Sequence, residues 1–120
     1  MIFLVEMKVA DPSRPPFHAE LQDAVTFIEG AIIPSLQILD KFALEKKILA
    51  GGPLGGEIAI TFIVEFDTVL ELDELLEGLP LWPRMVTTVT PMTTFENRIK
   101  SISLKLDAIK AMLQSGKTAS

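Results

Sequence analysis

Hydrophobic and polar residues alternate along the first nine residues of the chain. One set of alternate positions is wholly apolar and consists of Phe3, Val5, Met7 and Val9. This period of two predicts a β-strand with one face buried in the core. The proline-rich run at 11–16 ends the pattern. Because proline lacks a backbone N–H and fixes φ, we expect an ordered loop after the strand.

A helical pattern begins at about Ala19. Apolar residues then recur at spacings of three and four, at Leu21, Val25, Ile28, Ile32, Leu36 and Leu39. This stripe predicts a helix with one buried face. Pro34 lies within the pattern and should kink or break the helix, because it removes the hydrogen bond to Gly30.

The rest of the chain alternates between β-rich and helical segments. The pattern predicts a strand at 46–50, a glycine-rich hairpin connection at 51–56, a strand at 58–66, a helix at 68–77, a strand at 84–91 and a helix at 97–113. The segment at 58–66 is rich in β-branched and aromatic residues and should be a central strand. The order β-α-β-β-α-β predicts an α+β ferredoxin-like fold, with a four-stranded antiparallel sheet, two helices on one face and an extra C-terminal helix.

The second face of such a sheet needs a cover. The chain has 120 residues, of which 48% are hydrophobic, so it fits one compact domain that is rich in apolar residues for its size. The same face of a second subunit is the natural cover. We therefore expect a homo-oligomer.

Composition excludes several kinds of site. The chain has no cysteine and no tyrosine, and His18 is its only histidine. Disulfide frameworks, thiolate metal sites and histidine zinc clusters are therefore excluded, and we expect no metal. No apolar run reaches a signal-sequence core or the roughly 18 residues of a membrane span. We expect a cytoplasmic protein without a membrane partner.

Charge divides the chain unevenly. Residues 97–120 hold five basic side chains and one acidic side chain, whereas residues 1–96 hold six basic and fifteen acidic ones. Nucleic-acid binding usually requires a cationic face with stacking groups, and the basic segment has no aromatic residue. We expect no nucleic-acid partner.

The C-terminal helix carries a narrow apolar seam. Ile99, Ile102, Leu106, Ile109 and Leu113 follow spacings of three and four in turn, which is a heptad pattern. Two heptads are too short for an independent coiled coil, so the seam needs support. It can pack on its own domain, on the helix of a second subunit or on another protein.

The segment that follows the acidic helix carries a specific motif. Residues 78–83 read G-L-P-L-W-P, Met85 follows, and residues 89–92 read V-T-P-M. This pattern resembles the signature of the muconolactone isomerase family, and the alternating first strand is similar as well. The resemblance covers 1–95, which we define as the domain, and leaves 96–120 as an added heptad-patterned segment. It implies a dimeric α/β barrel, often built into larger rings, with a pocket between sheet and helices.

The resemblance also implies a site that moves a proton across an unsaturated lactone without a cofactor. Glu29 falls on a family glutamate, and we expect Glu29, Lys47 and His18 to be the catalytic residues. The residues expected to bind substrate are Phe3, Val5, Phe62, Lys41 and Trp82. Thr26 stands where the family has a lysine, and Lys46-Lys47 stands where it has Trp-Arg.

Two functions are compatible with these residues. One is a cofactor-independent proton-transfer isomerase, or a related lyase, that acts on a small unsaturated lactone or carbonyl metabolite. A partly desolvated carboxylate can act there as the base while a nearby cation or amide stabilises the dienolate. The alternative is a non-catalytic oligomeric binding or assembly module, with Glu29 an ordinary solvated residue and Trp82 a packing residue.

Overall fold

Four antiparallel strands form a sheet in the order β2-β3-β1-β4. The computed structural model describes residues 1–9 and 21–116, so the predicted proline-rich loop and His18 lie outside the described residues. The strands are β1 (Ile2–Val9), β2 (Ile48–Pro53), β3 (Ala59–Glu65) and β4 (Met85–Met92). The predicted ferredoxin-like α+β fold is confirmed, and β3 lies inside the sheet as expected.

Helical segments connect and extend these strands. They are α1 (Leu21–Phe27), a π-helical turn (Ile28–Ile32), α2 (Ile33–Leu44), α3 (Val69–Glu77), a 3₁₀ turn (Trp82–Arg84) and α4 (Phe95–Gln114). Within the described residues, no helix combines the length and the apolar character needed to cross a membrane.

The core lies on the inner face of the sheet. Phe3, Val5 and Met7 of β1 are fully buried, and Val5 pairs with Phe62 of β3. The helices and the segment after α3 complete the core with Leu39, Leu72, Leu76, Leu79 and Leu81. The alternation in the first strand therefore gives the buried face that its pattern predicts.

The outer face of the sheet is less well covered. Leu4 of β1 pairs with Ile63 of β3 and Thr90 of β4 on this face, and Val86 and Met92 of β4 are exposed. This is the surface on which we expect a second subunit, and the homo-oligomer stays a prediction.

A π-helical turn interrupts the long helix immediately before Pro34. The N–H of Ile33 bonds to the carbonyl of Ile28, five residues back. Pro34 then stands in the first turn of α2, where a helix needs no backbone N–H from it. The predicted interruption is therefore present, and the π turn forms it.

The predicted apolar stripe of this helix is wrong in its first half. Leu21 is 87% exposed and Val25 44%, whereas Phe27, which the stripe left out, is buried. A π turn inserts one extra residue and rotates the helix face. A regular stripe with spacings of three and four therefore cannot continue across the π turn. The residues that are buried before the turn differ from those that the stripe predicts.

Strand β2 begins and ends later than predicted. It runs from Ile48 to Pro53 with a bulge between Ile48 and Ala50, so Gly51 and Gly52 belong to the strand rather than to the hairpin connection. Gly51 has φ of 104° and pairs with Phe62 of β3. The glycine run predicted a turn in the sequence. In the structure, Gly51 instead adopts a positive φ within an edge strand, a conformation that glycine accepts more readily than other residues.

Helix α4 stands apart from the rest of the described molecule. It begins at the cap Thr94, whose hydroxyl accepts the N–H of Asn97. Every residue of α4 is exposed. The Cα radius of gyration is 20.9 Å, against about 14 Å for a compact domain of this length. The predicted seam therefore does not pack on the described part of its own domain.

Candidate functional site

A cavity of about 300 Å³ lies between α2 and the β2–β3 hairpin. Its lining residues are Leu36, Leu39, Asp40, Ala43, Ile48, Gly51, Gly52, Pro53, Ile60 and Phe62. A smaller cavity of about 170 Å³ shares Leu36, Pro53 and Ile60 with it and therefore adjoins it. Both cavities lie beside the β2–β3 edge of the sheet.

One face of α2 and the edge strand β2 line the larger cavity. Helix α2 contributes Leu36, Asp40 and Ala43, whose spacings of four and three place them on one face of the helix. On the other side, β2 contributes the backbone of Gly51 and Gly52, and a Cβ added at Gly52 would meet nothing within 4 Å. The larger cavity is thus a gap between a helix face and a glycine-rich edge strand.

Asp40 supplies the charged group of the larger cavity. It is the ionisable member of the described lining residues, its side chain is exposed, and the remaining walls are apolar side chains and glycine backbone. Glu57 occupies the comparable position in the smaller cavity. A carboxylate beside apolar walls can orient a polar ligand group and can exchange protons with it.

Of the predicted substrate-binding residues, Phe62 lines the larger cavity. Phe3 and Val5 are completely buried in the core and have no surface to offer a ligand. Trp82 is partly buried and packs against the core. Phe62 therefore lies at the cavity, whereas Phe3 and Val5, on the same inner face of the sheet, belong to the core; the substrate-binding role of Phe62 stays a prediction.

The predicted charged residues that the structure describes lie on the surface. Glu29, Lys41 and Lys47 are exposed, and none of the three lines either cavity. The ammonium group of Lys47 lies 5.2 Å from the centroid of the Phe42 ring, in a cation–π arrangement. The structure does not bring Glu29 and Lys47 together with Phe62, so their catalytic roles stay predictions.

The G-L-P-L-W-P segment is held to α2 by a buried hydrogen bond. The hydroxyl of Ser35, which is fully buried, accepts the backbone N–H of Leu81 at 2.9 Å. Beside it, the guanidinium of Arg84 lies 5.0 Å from the centroid of the Phe27 ring. Sequence reasoning missed Ser35, because a serine inside an apolar helix pattern carries no sign of its distant partner.

Asp40 was also missed, although a signal for it existed. It stands four residues after Leu36 and three before Ala43, on a helix face that turns towards the sheet. A polar group that lines an otherwise apolar cavity is a candidate for a binding site. Within the described residues, no cluster of three or more histidine, cysteine, aspartate or glutamate side chains could hold a metal ion.

Comparison with protein-family models gives no match, and comparison with curated proteins gives none either. Among solved structures, muconolactone isomerase matches with a TM-score of 0.60 and 20% identity, over 78% of this chain and 90% of that one. The 5-chloro-2-hydroxyhydroquinone dehydrochlorinase of Burkholderia phenoliruptrix AC1100, in complex with 2,5-dihydroxybenzoquinone, matches with a TM-score of 0.56 and 22% identity, over 81% of this chain and 98% of that one. The predicted resemblance is confirmed at the level of the fold: this chain has the fold of muconolactone isomerase.

Proposed function

We propose that this protein binds a small ring compound with a carbonyl group in the cavity between α2 and the β2–β3 hairpin, and transfers a proton on it without a cofactor. The reaction is an isomerisation or a related elimination. The observation that carries the proposal is the apolar cavity with Asp40 as its ionisable lining residue.

The size and polarity of the cavity fit such a ligand. A volume of about 300 Å³ is at the lower end of the range for small-molecule sites. Walls such as Leu39, Ile60 and Phe62 favour an apolar ring. A ligand that fills the cavity also displaces water from the apolar walls beside Asp40.

The proposed step balances without an added reagent. The Asp40 carboxylate takes a proton from the carbon next to the carbonyl, and the electron pair moves into a dienolate. The same carboxyl returns the proton two carbons along, so the double bond shifts and the carboxylate is regenerated. In the elimination, the electron pair instead breaks the bond to a leaving group on the adjacent carbon, which departs as an anion, and Asp40 releases its proton to water, which regenerates the carboxylate.

The similar structures support this chemistry through their names. One is an isomerase of muconolactone and the other a dehydrochlorinase of a hydroxyhydroquinone. Removal of a proton is compatible with both reactions. Glu29 stays the alternative carboxylate and Lys47 or His18 the alternative partner, because the resemblance implies these positions.

A second candidate is a binding module without catalysis. Among the described lining residues of both cavities there is no lysine, arginine or histidine. A dienolate gains its stabilisation from a cation or from oriented N–H donors. A cavity with a carboxylate but no cation therefore also suits a ligand that is bound and not converted.

The test compares Asp40→Asn and Glu29→Gln with the parent on a panel of unsaturated lactones and hydroxyquinones. Glu45→Gln, an exposed carboxylate just after α2, is the matched control. We expect Asp40→Asn to lower kcat/KM by about 100-fold or more, the usual contribution of a general base. Glu45→Gln should leave kcat/KM unchanged.

Each other result is informative. A loss confined to Glu29→Gln transfers the base to Glu29 and contradicts the role of Asp40. Binding without turnover by the parent establishes the module instead of the enzyme. If the parent neither binds nor converts any compound of the panel, both candidate functions are wrong.

A further inference from the structure

Helix α4 presents an apolar seam that no described residue of the monomer covers. Phe95, four residues before Ile99, extends the seam to six positions, and each of them is at least 47% exposed: Phe95, Ile99, Ile102, Leu106, Ile109 and Leu113. Twenty residues make a helix of about 30 Å. An apolar stripe of this length on a protruding helix is larger than the patches that monomeric proteins usually leave in water.

We propose that α4 pairs with α4 of a second copy of this chain in the antiparallel direction. The proposal does not depend on the catalytic one. Three features support the pairing. The apolar seam residues of two copies can face one another in one antiparallel register, the charges beside the seam attract in this direction, and the shape of the molecule leaves room for a second copy.

The register follows from the seam positions. If Phe95 packs opposite Leu113 of the other copy, Ile99 lies opposite Ile109, and Ile102 lies opposite Leu106. Antiparallel helices pair the first and fourth heptad positions across the seam in this way. All six seam residues of each copy then have an apolar partner.

The charges beside the seam select the direction. In the antiparallel register, Glu96 flanks Lys110 of the other copy, and this attraction occurs twice; Lys105 lies near its own counterpart once. In a parallel pair, Lys105 flanks Lys110 of the other copy twice, and Glu96 has no partner. The antiparallel pair therefore has the more favourable electrostatic balance.

Glu96 can change its partner at low cost. In the monomer it pairs with Lys100 at 3.3 Å, and both side chains are largely exposed. Exposed pairs within one helix stabilise it only weakly. A contact with Lys110 beside a buried seam can therefore replace or share the pair with Lys100.

The shape of the molecule favours the same direction. Its extents are 72 × 34 × 24 Å, and two residues separate β4 from α4. Paired helices lie 8–10 Å apart. A parallel pair would force two bodies that are 24 Å or more wide to the same end of the helices, whereas an antiparallel pair places them at opposite ends.

The test measures the dimer dissociation constant of the intact protein by sedimentation equilibrium, from the 13.2 kDa monomer mass upwards. Lys110→Glu places two like charges at each Glu96 contact, and we expect dimerisation to weaken about tenfold. The double variant Glu96→Lys with Lys110→Glu restores opposite charges and should return to the parent value. In a parallel pair, Lys110→Glu would instead strengthen the dimer.

A cross-link tests the register directly. Because the chain has no cysteine, Ser103→Cys introduces a single thiol at the point where the antiparallel register places residue 103 of both copies side by side. Mild oxidation should give a disulfide-linked dimer, and Ser101→Cys, two residues away on the outer face, should not. Three results would each overturn the proposal. The parent stays monomeric at about 100 µM or more, well above the dissociation constants of specific dimers. Alternatively, Lys110→Glu dimerises more tightly than the parent, or the double variant does not return to the parent dissociation constant.

Discussion

Asp40 combines an exposed carboxylate with a position on the wall of an apolar cavity. The resemblance directed attention to Glu29, which is exposed and lines neither cavity. The family motif could be recognised in the sequence, but the residues that meet in the cavity depend on the packing of α2 against the sheet.

The fold requires glycine at position 51. A Cβ added there would lie 2.3 Å from the carbonyl oxygen of Thr61, and φ is 104°. We expect Gly51→Ala to lower the free energy of unfolding by about 1–3 kcal/mol, because it adds both a clash and backbone strain. Urea unfolding measures the change.

Gly52 is the matched control for this substitution. Its added Cβ would meet nothing within 4 Å. Gly52→Ala should therefore leave stability unchanged or raise it slightly, since alanine reduces the entropy of the unfolded chain. Equal losses for the two variants would contradict the special role of Gly51.

At the scale of elements, two helix caps of the same type should have different effects. The hydroxyl of Thr68 accepts the N–H of Glu71 at the start of α3, whose Leu72 and Leu76 are buried. We expect Thr68→Ala to destabilise the protein by about 1 kcal/mol, the usual effect of losing a cap. Thermal unfolding followed by circular dichroism measures it.

Thr94→Ala is the comparison. Thr94 caps α4 with the same bond, but no residue of α4 is buried. In dilute protein the substitution should loosen the start of α4 and leave the main unfolding transition in place. A loss in that transition as large as that of Thr68→Ala would mean that α4 is part of the core.

Sequence predicted the elements whose signals are local. The alternation in β1 and the β-branched run of β3 each depend on neighbouring residues, and these strands lie within two residues of the predicted bounds. The exposure of Leu21 and the late end of β2 could not be predicted in this way. A π turn and an edge-strand glycine depend on contacts with the rest of the fold.

At the scale of the molecule, a ferredoxin-like body carries a protruding helix. The body has the fold of muconolactone isomerase, and α4 bears most of the basic residues of the C-terminal segment. We retain the division into a domain at 1–95 and an added segment at 96–120 as a proposal. In this view the high hydrophobic content serves a core, a ligand cavity and the seam of α4.

A shared fold does not determine the reaction, because function depends on the side chains of the site. At 20% and 22% identity, the two similar structures leave most of the cavity lining free to differ. The chemistry of this protein therefore depends on what its own cavity binds. Ala43, which lines the cavity from α2, allows that cavity to be closed without touching Asp40.

The most direct measurement is the binding of 2,5-dihydroxybenzoquinone and of an unsaturated lactone, by titration calorimetry, to the parent and to Ala43→Phe. Gln37→Phe, on an exposed position of α2 outside the cavity, is the control. We expect at least one of these compounds to bind the parent and the Gln37→Phe variant alike. Ala43→Phe, with the same melting temperature, should bind it at least about tenfold more weakly, because the phenyl ring occupies the cavity. Equal binding by both variants, or no binding by the parent, would contradict the assignment of this cavity as the functional site.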